Sequence, residues 1–394
     1  MDDSPLLIDV EDRYSSLRLI SWWRQERLKS ASIMVVGAGA LGNEVLKNLA
    51  LVGLGRILVI DLDEIEPSNL SRSVLFRAED GGQSKAVIAA RRACELNPEI
   101  EVVAIHGDVV TDVGLGTFAD VDLVIGCLDN REARLWVNRQ CWKVGTPWID
   151  AGIQEIQGVV KVFVPPDSSC YECTMTRRDY QLLNLRYSCP LLKRDEILSG
   201  KVPTSPTIAS MMAALQVQEA LKLLHDMPVS AGSAIVFNGV TNQFYTTRLP
   251  FRDDCLSHES YPEPVELSIG QDDSATALFH AIRAGSHLVS TDSLSLSLER
   301  ELVVAISCPR CGERREVMRT RHQVALSESN CLGCGQPALP EMTSAIQEGS
   351  KLAEEPLARL GIPRDDILRV DGEDSSGFFR LMGNPDFRHH EDSH

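Results

Sequence analysis

Cys308, Cys311, Cys331 and Cys334 are spaced C-x2-C-x19-C-x2-C, four thiols in the pattern of a zinc ribbon. A glycine follows the second cysteine of each pair, in "CPRCG" and "CLGCG", where a knuckle turn needs backbone freedom. Four sulfurs close a tetrahedral zinc site and leave no open position, so the expected role is structural. Cys170 and Cys173 form a further C-x2-C in "SCYEC" that needs partners from elsewhere in the chain. Cys189 stands apart in "RYSCPLLKRDEILSGKVPTSP", a polar stretch with no helical or strand period. Arg186, Lys193 and Arg194 lie near it, and cations lower a thiol's pKa and favour the thiolate. Cys94, Cys127 and Cys141 fall in helical or strand patterns and read as small buried hydrophobes.

A second chemistry is written in glycines and carboxylates. Gly37-Ala38-Gly39-Ala40-Leu41-Gly42 stands between an apolar strand and a helix, the turn whose helix N-terminus receives phosphate. Asp61 ends the next strand, where a carboxylate binds ribose hydroxyls. These features alone fit a nicotinamide-binding dehydrogenase equally well. "DLDEIEPSNLSRS" then adds Asp63, Asn69 and Arg72, "GGQSKAV" adds Lys85, and "GCLDNREAR" adds Asp129 and Asn130 at another strand's carboxyl end. Two cations can neutralise a triphosphate and Asp129 can hold Mg²⁺. Hydride transfer has no use for that set; an enzyme that splits ATP does.

The elements that must position these groups alternate. "SIMVVGAG", "RILVIDLD", "EVVAIHGDV" and "VDLVIGCLDN" read as strands, and "NEVLKNLALVGLG" and "KAVIAARRACELN" as helices between them. The pattern predicts an α/β fold with a Rossmann-like, doubly wound, mostly parallel sheet. "PTIASMMAALQVQEALKLL" predicts a long helix with Ser205 as N-cap and Pro206 in its first turn. Residues 1–30 read as a helical lead-in. Around "DDCLSHESYPEPV" the pattern breaks into a linker, which divides the chain into residues 1–258 and a smaller α+β region, 262–394, holding the zinc ribbon at 308–334.

A formal charge of −17 and a pI near 5.0 argue against a nucleic-acid partner, which requires a basic face. No run of 18 apolar residues exists, and the acidic start "MDDSPLLIDVEDRY" is no signal peptide, so no membrane segment and a cytoplasmic location are expected. Reducing conditions there leave the eleven cysteines as metal ligands, catalytic groups or core residues.

The ordered set GxGxxG, DxD, SNLxR, GQxK and DN, over roughly residues 10–255, resembles the ThiF/MoeB/HesA group, which includes ubiquitin-activating enzymes. The resemblance implies an ATP-dependent enzyme that adenylates the C-terminal glycine of a ubiquitin-like protein. Carried over, Gly37, Gly39 and Gly42 would cradle phosphate, Asp61 would bind ribose, and Asn69, Arg72 and Lys85 would contact the phosphates. Asp129 would serve Mg²⁺, with Asp63 and Asn130 beside it. The group usually reads SNLxRQ, but Ser73 follows Arg72 here. An early arginine, often donated across a dimer interface, falls at Ser16; Arg13 and Arg18 are the substitutes, with Arg13 preferred.

In that group a second C-x2-C after the last strand completes a structural zinc site. This chain offers Cys255 and His258 instead, which with Cys170 and Cys173 give a Cys₃His set. Pairing of Cys170 and Cys173 with the later knuckles is the alternative. The interval between the knuckle and the long helix, about 174–205, carries the thioester-forming cysteine in ubiquitin-activating relatives, and Cys189 is similar in position. Its alternative is an incidental loop cysteine. Residues 262–394 are not needed for adenylation in minimal members; here they would recruit a ubiquitin-conjugating-enzyme-like partner. Their pattern is compatible with a β-grasp fold carrying a zinc-ribbon insertion. A homodimer is usual for single-half relatives, and the chain resembles bacterial ubiquitin-like conjugation systems, some linked to antiphage defence. The rival readings are a sulfur-carrier adenylyltransferase without thioester transfer and a non-catalytic scaffold.

Overall fold

The computed structural model describes residues 12–181, 203–285, 293–373 and 375–383. An eight-stranded sheet is ordered β3-β2-β1-β4-β5-β6-β7-β8. Its strands are β1 (Ser32–Val36), β2 (Arg56–Asp61), β3 (Glu101–His106), β4 (Leu123–Gly126), β5 (Trp148–Gln154), β6 (Gln157–Phe163), β7 (Ser233–Asn238) and β8 (Gln243–Arg248). The first five in that order run parallel, and β6 to β8 continue as an antiparallel meander. Strands β1, β2 and β4 are runs of Ile, Leu, Val and Met with no polar alternation, because helices cover both faces of a parallel sheet.

The helices between them are α1 (Gln25–Ser30), α2 (Ala40–Val52), α3 (Lys85–Leu96), α4 (Leu115–Ala119), α5 (Arg131–Val144) and α6 (Pro206–Leu224). Helices α2, α3 and α6 share one core with Ile33, Val35, Ile57, Val59 and Ile149. Helices α4 and α5 cover the other face, with Met34, Leu58, Val124 and Trp148. Ser205 caps α6 by accepting from Ile208 N at 3.4 Å, with Pro206 in the first turn, as the sequence predicts. One sequence expectation needs correction and one element went unread. The lead-in holds only a 3₁₀ turn at Leu17–Leu19 and the single short helix α1 among the described residues. Helix α4 had no sequence signal, because its five residues include a glycine and no cap side chain.

A second, six-stranded sheet contains β9 (Val265–Leu267), β10 (Ser295–Ser307), β11 (Arg314–Thr320), β12 (Leu339–Gln347), β13 (Ile367–Asp371) and β14 (Ser376–Leu381), with α7 (Ala275–Ala284) packed on it. Strand β14 runs parallel to β9, as the last strand of a β-grasp does to the first. The likeness stops there, since a single strand rather than a hairpin precedes α7 among the described residues. The knuckles Cys308–Cys311 and Cys331–Cys334 sit on the turns flanking β11.

Candidate nucleotide site and metal centres

Parallel strands put their carboxyl ends along one edge, and β1 and β4 are neighbours whose chains depart to opposite sides. That switch point is the crevice where an open α/β sheet binds its ligand. The glycine turn follows β1 into α2. Gly37 has φ +99°, and a Cβ on it would lie 2.6 Å from the Cys127 carbonyl oxygen. A Cβ on Gly42 would lie 1.9 Å from Gly37 O. Gly39, with ordinary φ of −72°, would meet nothing within 4 Å. Two glycines are therefore demanded by the protein's own packing, while the third leaves open space over the start of α2.

Asp61, at the end of β2, ties this turn to the next segment. Its Oδ2 accepts from Ala38 N at 2.7 Å and its Oδ1 from Asp63 N at 2.8 Å. Burial pushes the Asp61 carboxyl up, against the opposing pull of Lys85 and these two N–H groups. Lys85, nearly buried at the head of α3, holds Asp63 at 2.9 Å. Asn69 is buried and accepts from Glu66 N at 2.9 Å, which fixes the turn before Arg72. Arg72 donates Nη1 to Ser68 O at 3.1 Å.

Across the crevice, Asp129 is exposed after β4. Asn130 donates to it at 3.3 Å and accepts from Ala133 N at 2.8 Å, so it caps α5 and orients Asp129 at once. Burial pushes the Cys127 thiol up, consistent with an inert core group.

Two positioning residues escaped sequence reasoning. Asn43, fully buried, donates to Ala38 O at 2.6 Å and accepts from Leu75 N at 2.9 Å, stitching the glycine turn to the Arg72 loop. Arg134 donates to Leu128 O at 2.5 Å, Ala151 O at 2.9 Å and Asp150 Oδ1 at 3.0 Å, fixing the loop before Asp129. A buried-face asparagine just after Gly42 was the available signal for the first.

Arg13 is not brought to this site. It donates to Leu96 O at 3.1 Å, at the far end of α3, which lies roughly 16 Å from Lys85 along the helix axis. The neighbouring Tyr14 hydroxyl accepts from Asn97 and packs on Gly53, so this segment is anchored at the opposite sheet edge. Arg18 pairs with Asp12 at 2.6 Å instead. Cys189 lies outside the described residues. The chain leaves them after Gln181, where Tyr180 donates to Glu172 at 3.0 Å and Asp179 pairs with Arg131, the first residue of α5, at 2.8 Å. It returns at Pro203, whose carbonyl accepts from Glu155 N at 2.6 Å. Both anchors belong to the carboxyl edge that carries Asp129.

Two four-donor sets assemble as the sequence predicts, each with its ligand atoms within 4.8 Å of one another. Cys170 Sγ lies 3.7 Å from Cys173 and 3.6 Å from Cys255, and Cys173 lies 3.4 Å from His258 Nε2. In the second set Cys308 is 3.6 Å from Cys334, and Cys311 is 3.4 Å from Cys331. A tetrahedron with Zn–S bonds of ~2.3 Å has edges of about 3.7 Å. Disulfides would need ~2.05 Å. The donor sets fit zinc, and the pairing of Cys170–Cys173 with the later knuckles is excluded by geometry. Trp142 stacks on His258 with ring centroids 4.0 Å apart, which holds the imidazole plane.

The ThiF family profile matches residues 12–257. The chain belongs to the ThiF family. The SUMO-activating enzyme subunit 2 of Dictyostelium discoideum is 40% identical over 166 residues, covering 42% of this chain and 25% of that protein. The sulfur carrier protein ThiS adenylyltransferase of Escherichia coli is 28% identical over 232 residues, covering 59% of this chain and 87% of that protein. Among solved structures, E. coli MccB with ATP aligns at a TM-score of 0.53 and 26% identity, covering 63% of this chain and 74% of that one. The chain spans about a quarter of the SUMO-activating subunit, so membership of the ThiF family identifies the domain and leaves the whole protein's partners open.

For a ThiF-family crevice the glycines make a separable prediction. Gly39→Ala is expected to melt like the unmodified protein but to weaken binding of an ATP analogue at least about tenfold, since the open space above Gly39 is where phosphate would sit. Gly42→Ala is expected to fail to fold stably, because its Cβ has a backbone oxygen in its way. Thermal melting and calorimetric titration of both variants check this. Equal nucleotide affinity in the alanine variant at position 39 would put the phosphate elsewhere.

Proposed function

We propose that this chain is an ATP-dependent activating enzyme that adenylates the C-terminal glycine of a ubiquitin-like protein and then takes the acyl group as a thioester on Cys189, for transfer to a conjugating enzyme. One observation carries the reading. The glycine turn, the Asp61–Asp63–Lys85 set, Asp129 and both anchors of the segment containing Cys189 share one sheet edge.

In the first step a carboxylate oxygen of the partner attacks the α-phosphorus of ATP, the bond to the bridging oxygen breaks, and pyrophosphate leaves. Arg72 and Lys85 stabilise the charge that develops on the phosphates. Asp129 would hold Mg²⁺, which supplies further neutralisation of the triphosphate. Asp61 would orient the nucleotide through the ribose. In the second step the Cys189 thiolate attacks the acyl carbon, the acyl–phosphate C–O bond breaks, and AMP leaves. Two structural zinc ions would hold the knuckle and the ribbon. Arg13 enters this scheme only across a homodimer interface. No helix among the described residues is long and apolar enough to cross a membrane.

A second reading, adenylation of a sulfur carrier without a thioester, is favoured by the near-complete coverage of the E. coli ThiS adenylyltransferase. Intact-mass measurement separates them. The chain is mixed with a glycine-terminated ubiquitin-like protein and Mg-ATP, before and after reductant. A thiol-labile adduct at Cys189, lost in Cys189→Ala while pyrophosphate exchange persists, is the expected result. AMP and pyrophosphate without an adduct favours the sulfur-carrier reading. No nucleotide turnover favours a scaffold.

A further inference from the structure

The loop that follows β3 borders Asp61, whose backbone oxygen accepts from Gly107 N at 3.2 Å, and the loop that follows β4 carries Asp129; the C-terminal region holds the first loop and the helix that follows the second. Arg300 of β10, only 5% exposed, donates Nε to Val110 O and Nη2 to Val113 O at 3.1 Å, both in the β3–α4 loop. Its Nη1 pairs with Asp366 at 3.2 Å, and its guanidinium lies 4.6 Å from the Trp136 ring of α5. Asp366 in turn accepts from Leu115 N at 2.8 Å, so it caps α4, whose own N-cap residue, Gly114, has no side chain to do so. The first sheet is shaped to receive this insertion. A Cβ on Gly114 would lie 2.3 Å from Arg364 O, and one on Gly116 would lie 2.5 Å from Asp365 O. On α5, His322 Nε2 sits 2.9 Å from Glu132, the second residue of the helix and three beyond Asp129.

We propose that the C-terminal sheet positions the nucleotide site: Arg300 and Asp366 fix the β3–α4 loop, and the His322–Glu132 bridge fixes the first turn of α5 and with it Asp129. This rests on the adenylation reading of the crevice, and it departs from the expectation that residues 262–394 are dispensable for that step. The physical basis is rigidity. The link from β4 to α5 is four residues long, Cys127 to Asn130, so Asp129 follows any displacement of α5. Arg300 and Asp366 are buried and satisfy each other together with two carbonyls and two N–H groups, a set that keeps one geometry. None of these groups belongs to the set assigned to the nucleotide. They are positioning residues.

The test is calorimetric titration of the full chain with Mg-AMPCPP, a non-hydrolysable ATP analogue. His322→Gln is expected to raise the Kd about fivefold and Arg300→Lys about tenfold, the scale of coupling through a positioned element. The nucleotide-free melting temperature of His322→Gln is expected to stay within a few degrees of the unmodified protein. In the double variant His322→Gln/Glu132→Gln, two amides can restore a neutral hydrogen bond, and the Kd is expected to return to within about twofold. An unchanged Kd in folded His322→Gln overturns the proposal, whether or not its melting temperature falls. Failure of the unmodified chain to bind Mg-AMPCPP overturns the adenylation reading and this inference with it.

Discussion

Arg72→Ala is expected to slow partner-dependent pyrophosphate exchange by about a hundred- to a thousandfold, the cost of removing one donor aimed at developing charge in a crevice. The site supplies the reason. Asn69 is buried and locks the preceding turn, and Asn43 ties the following residues to the glycine turn, so the Arg72 backbone has little freedom. The guanidinium spends one contact on Ser68 O and carries further N–H donors for a ligand. Lys85 cannot substitute, because it is anchored on Asp63 from the first turn of α3. Arg72→Lys is expected to recover only part of the rate, since an ammonium lacks the planar fork that spans two phosphate oxygens. The folded state should hardly notice either change, within about 0.5 kcal/mol, as the side chain is partly exposed and its one hydrogen bond, to Ser68 O, is at the surface. Exchange of labelled pyrophosphate into ATP measures it. A rate within threefold of the unmodified protein would remove Arg72 from the chemistry.

Cys255→Ser is expected to release one of two zinc equivalents and to destabilise the protein by more than about 4 kcal/mol. Cys255 is buried in a small cluster with Cys170, Cys173 and Trp142. Three donors hold zinc poorly where the fourth position is closed. The damage would spread along named contacts. Glu172, between the two knuckle cysteines, bonds Arg139, Ser257 and Tyr180, and its burial is offset by those hydrogen bonds so that its carboxyl stays below the usual range. Loss of the knuckle would therefore loosen the anchor of the chain leading to Cys189. Elemental analysis of purified protein and urea unfolding report the two effects. Retention of two zinc equivalents, or an unchanged unfolding midpoint, would show that the Cys₃His set is not a metal site.

The features legible in the sequence were those whose cause is local. The glycine turn, the Ser205–Pro206 helix start and the C-x2-C pairs each express a rule confined to a few neighbouring residues, and their geometry follows it. Even the remote completion by Cys255 and His258 was legible, because the family resemblance implies a second pair after the last strand and these two repeat its spacing. What escaped was set by residues far apart in the chain. Arg13 was placed by motif position, and within one chain its guanidinium bonds Leu96 O, 83 residues away at the other sheet edge, which leaves it only the route across a homodimer interface. Gly114 and Gly116 carry no motif, and what requires them is the Arg364–Asp365 backbone pressed against them from far along the chain. Asn43 and Arg134 carry no motif, because each joins a local carbonyl to a partner that only the fold brings near, Leu75 N for Asn43 and Asp150 with Ala151 O for Arg134.

The first metal set also has a meaning in terms of chain topology. Its two halves are separated by 85 residues, and the enclosed loop contains the whole stretch bearing Cys189 together with α6 and β7 to β8. With metal bound, that loop is a closed ring, and a ring restricts the unfolded chain as a cross-link does, by an amount that grows only slowly with its length. A break anywhere in the stretch from 182 to 202 would open the ring without parting the molecule, because β6 stays paired with β7 across the break and the ion ties the two pieces again. Under the proposed function, the region that would meet a partner could thus vary or be cut while the metal set still ties the chain on either side of it.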